Sequence, residues 1–366
     1  MKRRDFVGYV GLGAAALLLG RACLPEDTTD VRRRLLRSWT EELAIGEYQA
    51  LVSAAQSLTE RAGELAEDPT DERLQAAKQA WRNARGPLKR AELFGFGPYL
   101  EEPQRYGPKL DFWPVRPEAV ELVLSGSDAL DAAGTLALGA PSKGFPAMEY
   151  LLWAPGAVVA DFGGRRGEYL KALAGELVRV AERLLEAWKT GFALEVSEAG
   201  LDHVELFPTL PAALGGVIQQ AAVLIEMIRG DKLGKPLGDA AGGVPQPDKC
   251  ESQYSGDAMQ DILHNLDGVR GLLFGRAADD TQAEVLGLNA YLTRLKPELA
   301  TRVRTKFDAA VASCLEVRLP LTEAVERSPA LVRSAADALG ELQRLIEVDV
   351  LGALAVSVGF SGNDGD

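Results

Sequence analysis

Apolar residues recur every three or four positions along most of the chain, which is the spacing of one face of an amphipathic helix. The clearest case is the segment 165–190, where this face carries Leu170, Leu173, Leu177, Val180, Leu184 and Trp188. The same spacing predicts helices over 31–66, 72–94, 211–229, 254–274, 281–317 with a break near Pro297, and 329–351. The alternating pattern of strands is hard to find. The sequence therefore predicts an all-α protein.

Two segments interrupt the helical pattern with clusters of Gly and Pro, namely 95–115 and 230–252. The second is long for a connection within a helical bundle, so it is a candidate functional loop. The helices before these loops share one feature, since Phe94-Gly95 and Phe274-Gly275 each close a predicted helix. This likeness favours an internal duplication into two helical-bundle halves, an N-terminal half over 31–200 and a C-terminal half over 201–366.

The first 22 residues are typical of an export signal. Lys2, Arg3 and Arg4 precede an uncharged stretch from Phe6 to Gly20. That stretch is shorter than the ~20 residues that a membrane-spanning helix needs, but it has the length of a signal-peptide core. The arginine pair also fits the twin-arginine pattern, and an ordinary Sec signal fits equally well.

The apolar stretch ends at Leu19-Gly20-Arg21-Ala22-Cys23, which resembles a bacterial lipobox with Cys23 as the lipidated residue. Residues 23–30 would then form a polar tether. The alternative is simple cleavage near Ala22, which would release the mature chain. We expect an exported protein, either periplasmic or held at the membrane of the bacterial cell envelope by a lipid anchor.

Composition narrows the classes of partner and chemistry. The chain has 53 acidic and 40 basic residues and a formal net charge of −13, which argues against nucleic acid as a partner. Its two histidines leave little room for a histidine-rich metal site. With Cys23 lipidated, Cys250 and Cys314 remain, and an oxidising compartment favours a disulfide between them over two separate buried thiols.

Residues 143–153 read KGFPAMEYLLW and resemble the GxHxxE signature of the imelysin-like family. The segments that agree with the family in the same order are Trp81, Arg85, Glu92, 96–98, 110–114, 235–238, 251–255, 261–269 and 359–366. The resemblance implies an all-α, exported and often lipid-anchored protein of two bundle halves, frequently linked to iron acquisition. It also implies a founding activity described as a peptidase, with the His and Glu of the motif as metal ligands.

The chain departs from this family at the motif itself, because Pro146 stands in the place of the histidine while Gly144 and Glu149 are retained. Proline has no side-chain donor, and Glu149 alone cannot hold a catalytic zinc, which takes three protein ligands. Glu149 stays the candidate ligand for a divalent metal or iron. No catalytic residue is assigned, and the sequence leans away from an enzyme.

We expect the polar residues of these motifs to form a cleft between the two halves. The candidate binding residues are Trp81, Arg85, Glu92, Gly144, Pro146, Glu149, Glu251, Ser252, Tyr254 and Ser255. A buried carboxylate needs a partner, and Arg85 is the candidate partner of Glu149. The alternative is a buried salt-bridge network that fixes the register of the helices.

Three functions remain open at this stage. The first is a non-catalytic binding protein in metal (iron) uptake, with an envelope protein of that pathway as partner. The second is a metallopeptidase of the imelysin type that uses Glu149. The third is a structural or assembly lipoprotein that docks through residues 230–255. The loss of the motif histidine favours the first.

Overall fold

The computed structural model describes residues 26–279 and 283–355. The predicted signal peptide, the lipidation site Cys23 and the acidic residues 363–366 lie outside this range. Residues 26–30 of the predicted tether are helical, because a helix begins at Glu26. The Arg- and Leu-rich residues that follow have high helix propensity, so they extend the helix directly from that point.

Helices make up the N-terminal part of the described chain. They are α1 (Glu26–Arg37), α2 (Ile45–Glu67), α3 (Asp71–Ala91), α4 (Gly107–Leu110), α5 (Pro117–Ser125), α6 (Ala132–Ala137), α7 (Gly144–Trp153), α8 (Arg165–Ala187) and α9 (Ala193–Ser197). Short 3-10 turns lie at Glu92–Phe94, Gly97–Tyr99, Ala140–Ser142 and Val159–Gly163. The side chain of Thr70 caps α3 by accepting from the N–H of Arg73, which explains why the helix begins after this residue.

The C-terminal part of the described chain is also built of helices. Its helices are α10 (Leu210–Met227), α11 (Ala258–Phe274), α12 (Leu288–Leu295), α13 (Pro297–Leu315), α14 (Leu321–Arg327), α15 (Pro329–Arg344) and α16 (Leu351–Ala353). The break predicted near Pro297 is confirmed, because α12 ends at Leu295 and Pro297 begins α13. The described residues contain no strand, and one isolated bridge pairs Arg276 with Val285, so the prediction of an all-α protein is confirmed.

Within residues 26–279 and 283–355, four π-helical segments extend or join these helices, at Ser38–Ala44, Trp188–Phe192, Ile228–Gly234 and Leu345–Val350. A π turn adds a residue to the helical turn and so changes the direction of the side chains that follow. The third segment carries the chain helically through residues predicted as loop. The predicted loop therefore begins only after Gly234, and Lys232 lies on a helix.

The helices enclose one continuous hydrophobic core that extends through both predicted halves. Helix α2 packs between α3 and α8, α11 packs against α3, and α10 packs against α15. In the described part of the chain one helix, Leu210–Gly234, is long and apolar enough to span a membrane. Just over half of its apolar stretch is buried against protein, as expected for a core helix.

Candidate functional site

One face of α3 carries Trp81, Arg85 and Lys89, which are spaced four residues apart. Arg85 is 3% exposed and Lys89 is fully buried. The facing helix α11 approaches closely because it has glycine at position 268. A Cβ atom at Gly268 would lie 2.2 Å from the carbonyl oxygen of Arg90, so only glycine fits there. This close contact brings the polar face of α3 to the polar residues of α11.

Arg85 binds three carboxylates at once. Its Nη1 donates to Asp111 Oδ1 at 2.8 Å, its Nε to Asp261 Oδ2 at 2.9 Å, and its Nη2 to Glu251 Oε1 at 3.0 Å. The three carboxylates come from the segment after α4, from α11 and from the turn that precedes α11. The guanidinium therefore links elements of both predicted halves.

Two lysines complete the charge pattern. Lys89 Nζ donates to Asp111 Oδ2 at 2.7 Å, to Glu92 Oε2 at 3.2 Å and also to Glu251 Oε1. Lys232 Nζ lies 2.8 Å from Glu92 Oε2 and 3.1 Å from Glu251 Oε2. Lys232 reaches this position from the π-helical segment Ile228–Gly234.

Neutral side chains satisfy the remaining groups. Asn265 accepts from Lys232 Nζ at 2.8 Å and donates to Glu92 Oε2 and to the carbonyl oxygen of Lys89, both at 2.7 Å. The hydroxyl of Ser252 donates to Asp261 Oδ2 at 2.6 Å. We name the whole set the ionic network; its members are Arg85, Lys89, Glu92, Asp111, Lys232, Glu251, Ser252, Asp261 and Asn265.

The carboxylates of the ionic network differ in their electrostatics. Burial acts to raise the pKa of Glu251, but attraction from Lys232, Lys89 and Arg85 outweighs it and holds this pKa well below its usual range. At Asp261 the effect of burial prevails over the attraction of Arg85 and raises the pKa to about 6. The network contains three cations and four carboxylates. Within it Asp261 contacts a single cation, Arg85, so its charge is the least compensated.

Glu149 lies beside the ionic network and has separate partners. Its Oε1 accepts hydrogen bonds from the backbone N–H groups of Tyr254 and Ser255, at 3.0 and 2.8 Å, and from the Ser255 hydroxyl at 2.8 Å. Glu149 is 2% exposed, and burial raises its pKa to about 7 in spite of the Ser255 hydrogen bonds. Among the described residues the expected pairing with Arg85 does not form, and the turn at 254–255 takes its place.

Gly144 and Pro146 shape the start of α7. Gly144 has φ +69°, and a Cβ atom there would lie 2.2 Å from the carbonyl oxygen of Leu110. Pro146 is the third residue of the helix, where its missing N–H removes no helical hydrogen bond. Pro146 and Glu149 border a small cavity of about 10 Å³ against the ionic network.

The residues around Glu149 do not fit a metal. Pro146 offers no donor, and Glu149 Oε1 already accepts three hydrogen bonds. Across residues 26–279 and 283–355, no group of three or more His, Cys, Asp or Glu side chains is placed to hold an ion. His203 pairs with Glu198, and His264 contacts Gln260. The geometry therefore gives no support to Glu149 as a metal ligand.

The structure contradicts the predicted disulfide. Cys250 and Cys314 are both buried and are free thiols. Burial raises the pKa of each thiol to about 12, so neither forms a thiolate readily. Each thiol lies in the apolar core, where a free cysteine packs as a small hydrophobic residue.

The structure brings most of the predicted site residues together, although in a closed arrangement rather than a cleft. Arg85 also lies 5.4 Å from the centre of the Trp81 ring, and the Trp81 indole donates to the carbonyl oxygen of Phe145. Arg85, Glu149, Glu251 and Ser252 are all less than 5% exposed. This geometry corresponds to the alternative of a buried salt-bridge network.

Two members of the ionic network, Lys89 and Lys232, are not identified from the sequence. Lys89 could have been found, because it lies one helical turn after Arg85 on the same face. Lys232 lies in the segment 230–252, which the sequence indicates as a candidate functional loop, but no local pattern predicts that a π turn directs its side chain inward. Asp111, Asp261 and Asn265 had been noted only for their resemblance to the family.

The described residues thus form an all-α fold in which a buried ionic network lies beside the start of α7. The family model described as imelysin (peptidase M75) matches residues 44–346, so this chain belongs to the imelysin family. Iron-regulated protein A of Synechococcus elongatus is 24% identical over 351 residues, which cover 93% of this chain and 92% of that protein.

Two solved structures share the fold. A protein described as an iron-regulated protein A precursor, from Parabacteroides distasonis, aligns with a TM-score of 0.75 and 18% identity over 91% of this chain and 96% of its own. An imelysin-like protein from Psychrobacter arcticum aligns with a TM-score of 0.75 and 17% identity over 91% and 98%. These likenesses support the fold assignment and leave the site of this chain to its own residues.

Proposed function

We propose that this protein is a non-catalytic member of the imelysin family that contributes to iron uptake by binding a partner in the cell envelope. The observation that carries the proposal is the closed ionic network at the family motif. There, Arg85, Lys89 and Lys232 pair with the buried carboxylates, and Pro146 replaces the histidine. The names of the relatives, which include iron-regulated protein A, support the link to iron.

The chemistry of the site argues against peptide hydrolysis. A metallopeptidase needs a metal with an open coordination position for water. Here the guanidinium of Arg85 occupies the space between the carboxylates and would repel a divalent cation. Glu149 instead holds the turn at 254–255, which is a positioning role in the fold.

The decisive experiment is growth of a deletion strain under iron chelation, complemented with the wild-type chain or with Glu149→Gln. We expect poor growth of the deletion strain and full rescue by both forms, because Gln keeps an oxygen that accepts from residues 254 and 255. Equal growth of the deletion and parent strains would reject the iron role. Failure of a well-folded Glu149→Gln variant to rescue growth would instead favour the metallopeptidase hypothesis, which a casein hydrolysis assay and metal analysis of the purified protein would then have to support.

The location in the envelope is a proposal with its own test. We propose that the chain is exported and that Cys23 carries the lipid anchor. Metabolic labelling with radioactive palmitate should mark the wild-type chain, and Cys23→Ser should be exported without the label. An unlabelled wild-type chain that is recovered in the soluble periplasmic fraction would show cleavage without lipidation.

A further inference from the structure

Helix α1 begins close to the proposed lipid anchor. Cys23 precedes Glu26, the first residue of α1, by three positions. An extended chain spans at most about 3.6 Å per residue, so the start of α1 lies within about 11 Å of Cys23. So short a connection keeps the folded chain near the bilayer. The residues beside the start of α1 therefore lie at the membrane surface when Cys23 carries a lipid.

Helix α12 and the residues before it run antiparallel to α1, toward its start. The indole of Trp39, just beyond the end of α1, donates to the carbonyl oxygen of Leu286 at 2.8 Å. Two turns nearer the start of α1, Arg32 Nε donates to the Tyr291 hydroxyl at 3.1 Å. Leu295 lies one further turn along α12 on the same face as Tyr291, so it reaches the level of the first turn of α1.

The end of α12 has side chains that suit a phospholipid surface. Leu295 is 40% exposed, and its neighbours Arg294 and Lys296 are exposed as well. Within the described chain neither cation forms an ion pair. An apolar side chain between two cations matches the boundary between acyl chains and phosphates, where long basic side chains reach the headgroups. We name residues 294–296 the basic corner.

A loop between α9 and α10 reaches the same end of the molecule. Arg33 of α1 donates to the carbonyl oxygens of Ser197 and Ala199 at 3.3 and 3.4 Å. These residues end α9 and lead into the loop 198–209, whose Leu201 is 44% exposed. The loop thus adds a second exposed leucine beside the first half of α1.

Helix α13 leads away from the basic corner. It begins at Pro297, and its 19 residues span about 28 Å. Halfway along α13, the ring of Phe307 lies 5.2 Å from the ring of Phe274. Phe274 is two residues before Arg276, which bridges to Val285 at the level of the end of α1. Helix α13 therefore runs in the same direction as α1, away from the anchor.

The turn that holds Glu149 lies beyond the far end of α13. Pro320 follows that end, and a Cβ atom at Gly256 would lie 3.7 Å from the Pro320 side chain. Gly256 comes directly after Ser255, which binds Glu149. The basic corner and the candidate site are therefore at opposite ends of the molecule, separated by the length of α13.

We propose that the end of the molecule formed by the basic corner and the loop 198–209 contacts the phospholipid surface of the membrane. This contact gives the chain one orientation on the bilayer. It directs the turn that holds Glu149 toward the aqueous side, where an envelope partner can reach it. The inference rests on the lipid anchor proposed at Cys23, but it can fail while the anchor holds.

The experiment uses the full lipidated chain attached to vesicles of phosphatidylethanolamine and phosphatidylglycerol. An environment-sensitive fluorophore is placed on Leu295→Cys or, in a second protein, on Leu331→Cys. The native Cys250 and Cys314 are buried, so they stay unlabelled in the folded protein. Leu331 is the matched control, because it is 42% exposed and begins α15, which packs antiparallel to α13 and so places it at the far end.

We expect attachment to shift the emission of the probe at Leu295→Cys to the blue and to slow its quenching by iodide several-fold, with no change at Leu331→Cys. Sedimentation with the vesicles tests the anchor separately, and Cys23→Ser gives the unattached reference. A chain that sediments but leaves the probe at Leu295→Cys unchanged would overturn the inference and leave the anchor standing. Equal shifts at both positions would also overturn it, because the chain would then have no fixed orientation. A wild-type chain that does not sediment would reject the anchor and this inference together.

Discussion

Glu149→Gln should make the stability of the protein less dependent on pH. Burial raises the pKa of Glu149 from its ordinary value of 4.5 to about 7, so the folded state keeps a proton that the unfolded state releases. Because the folded state binds more protons between these two values, the free energy of unfolding falls as the pH rises from about 4.5 to 7. This loss of stability is absent below pH 4.5, the pKa in the unfolded state, and fully present above about pH 7, the pKa in the folded state.

The magnitude follows from the size of the shift. A difference of about 2.5 pKa units, at 1.36 kcal/mol per unit, corresponds to about 3 kcal/mol at and above pH 7. Glutamine carries no charge, and its Oε1 can still accept the hydrogen bonds from Tyr254 and Ser255. The NH₂ group of the glutamine needs a hydrogen-bond acceptor of its own, and this requirement reduces the stability that the variant gains. We therefore expect the variant to gain up to about 3 kcal/mol relative to wild type as the pH rises from 4.5 to 7.5.

Urea unfolding followed by circular dichroism, at pH 4.5, 5.5, 6.5 and 7.5 and constant ionic strength, measures this difference. Asp261 also has a raised pKa and is present in both proteins, so its own burial contributes equally to both. Its repulsion of Glu149 is one of the causes that raise the pKa of Glu149, and the variant removes this repulsion as well. Glu168→Gln on the exposed face of α8 is the matched control and should run parallel to wild type. A difference between wild type and Glu149→Gln that is constant across the four pH values would refute the reasoning.

Three further predictions test the packing of the site. Arg85→Ala leaves three buried carboxylates without their shared partner and should lower the free energy of unfolding by about 3–5 kcal/mol in urea titrations. A loss below about 1 kcal/mol would mean that the ionic network adds little to the stability of the protein. Gly144→Ala places a Cβ against the carbonyl oxygen of Leu110, at a residue whose backbone is in the left-handed conformation. Calorimetry should therefore show that the free energy of unfolding falls by about 2 kcal/mol or more. An unchanged melting temperature would contradict the geometry. Cys250 and Cys314 should both react with Ellman's reagent in denaturant without reductant and stay unreactive in the folded protein; absence of both thiols in denaturant would reveal a disulfide.

The helical pattern of apolar residues along the chain determined the fold class of this protein. Period-3.6 apolar faces are local properties, so they predicted the all-α class. Arg85 and Trp81 entered the candidate site through the resemblance to the imelysin-like family. Pro146 could also be interpreted locally, because a helix tolerates a proline in its first turn.

Only the tertiary structure decided what the polar residues do. Lys89 and Lys232 meet Glu92 and Glu251 because α3, α11 and a π-helical turn converge, and no local spacing encodes that convergence. The partner of Glu149 proved to be a turn more than a hundred residues away. Whether polar side chains form an open cleft or a closed network depends on burial, which is set by the packing of distant helices. For the same reason, parity of the cysteines could not establish a disulfide, since that bond requires two sulfur atoms to meet in space.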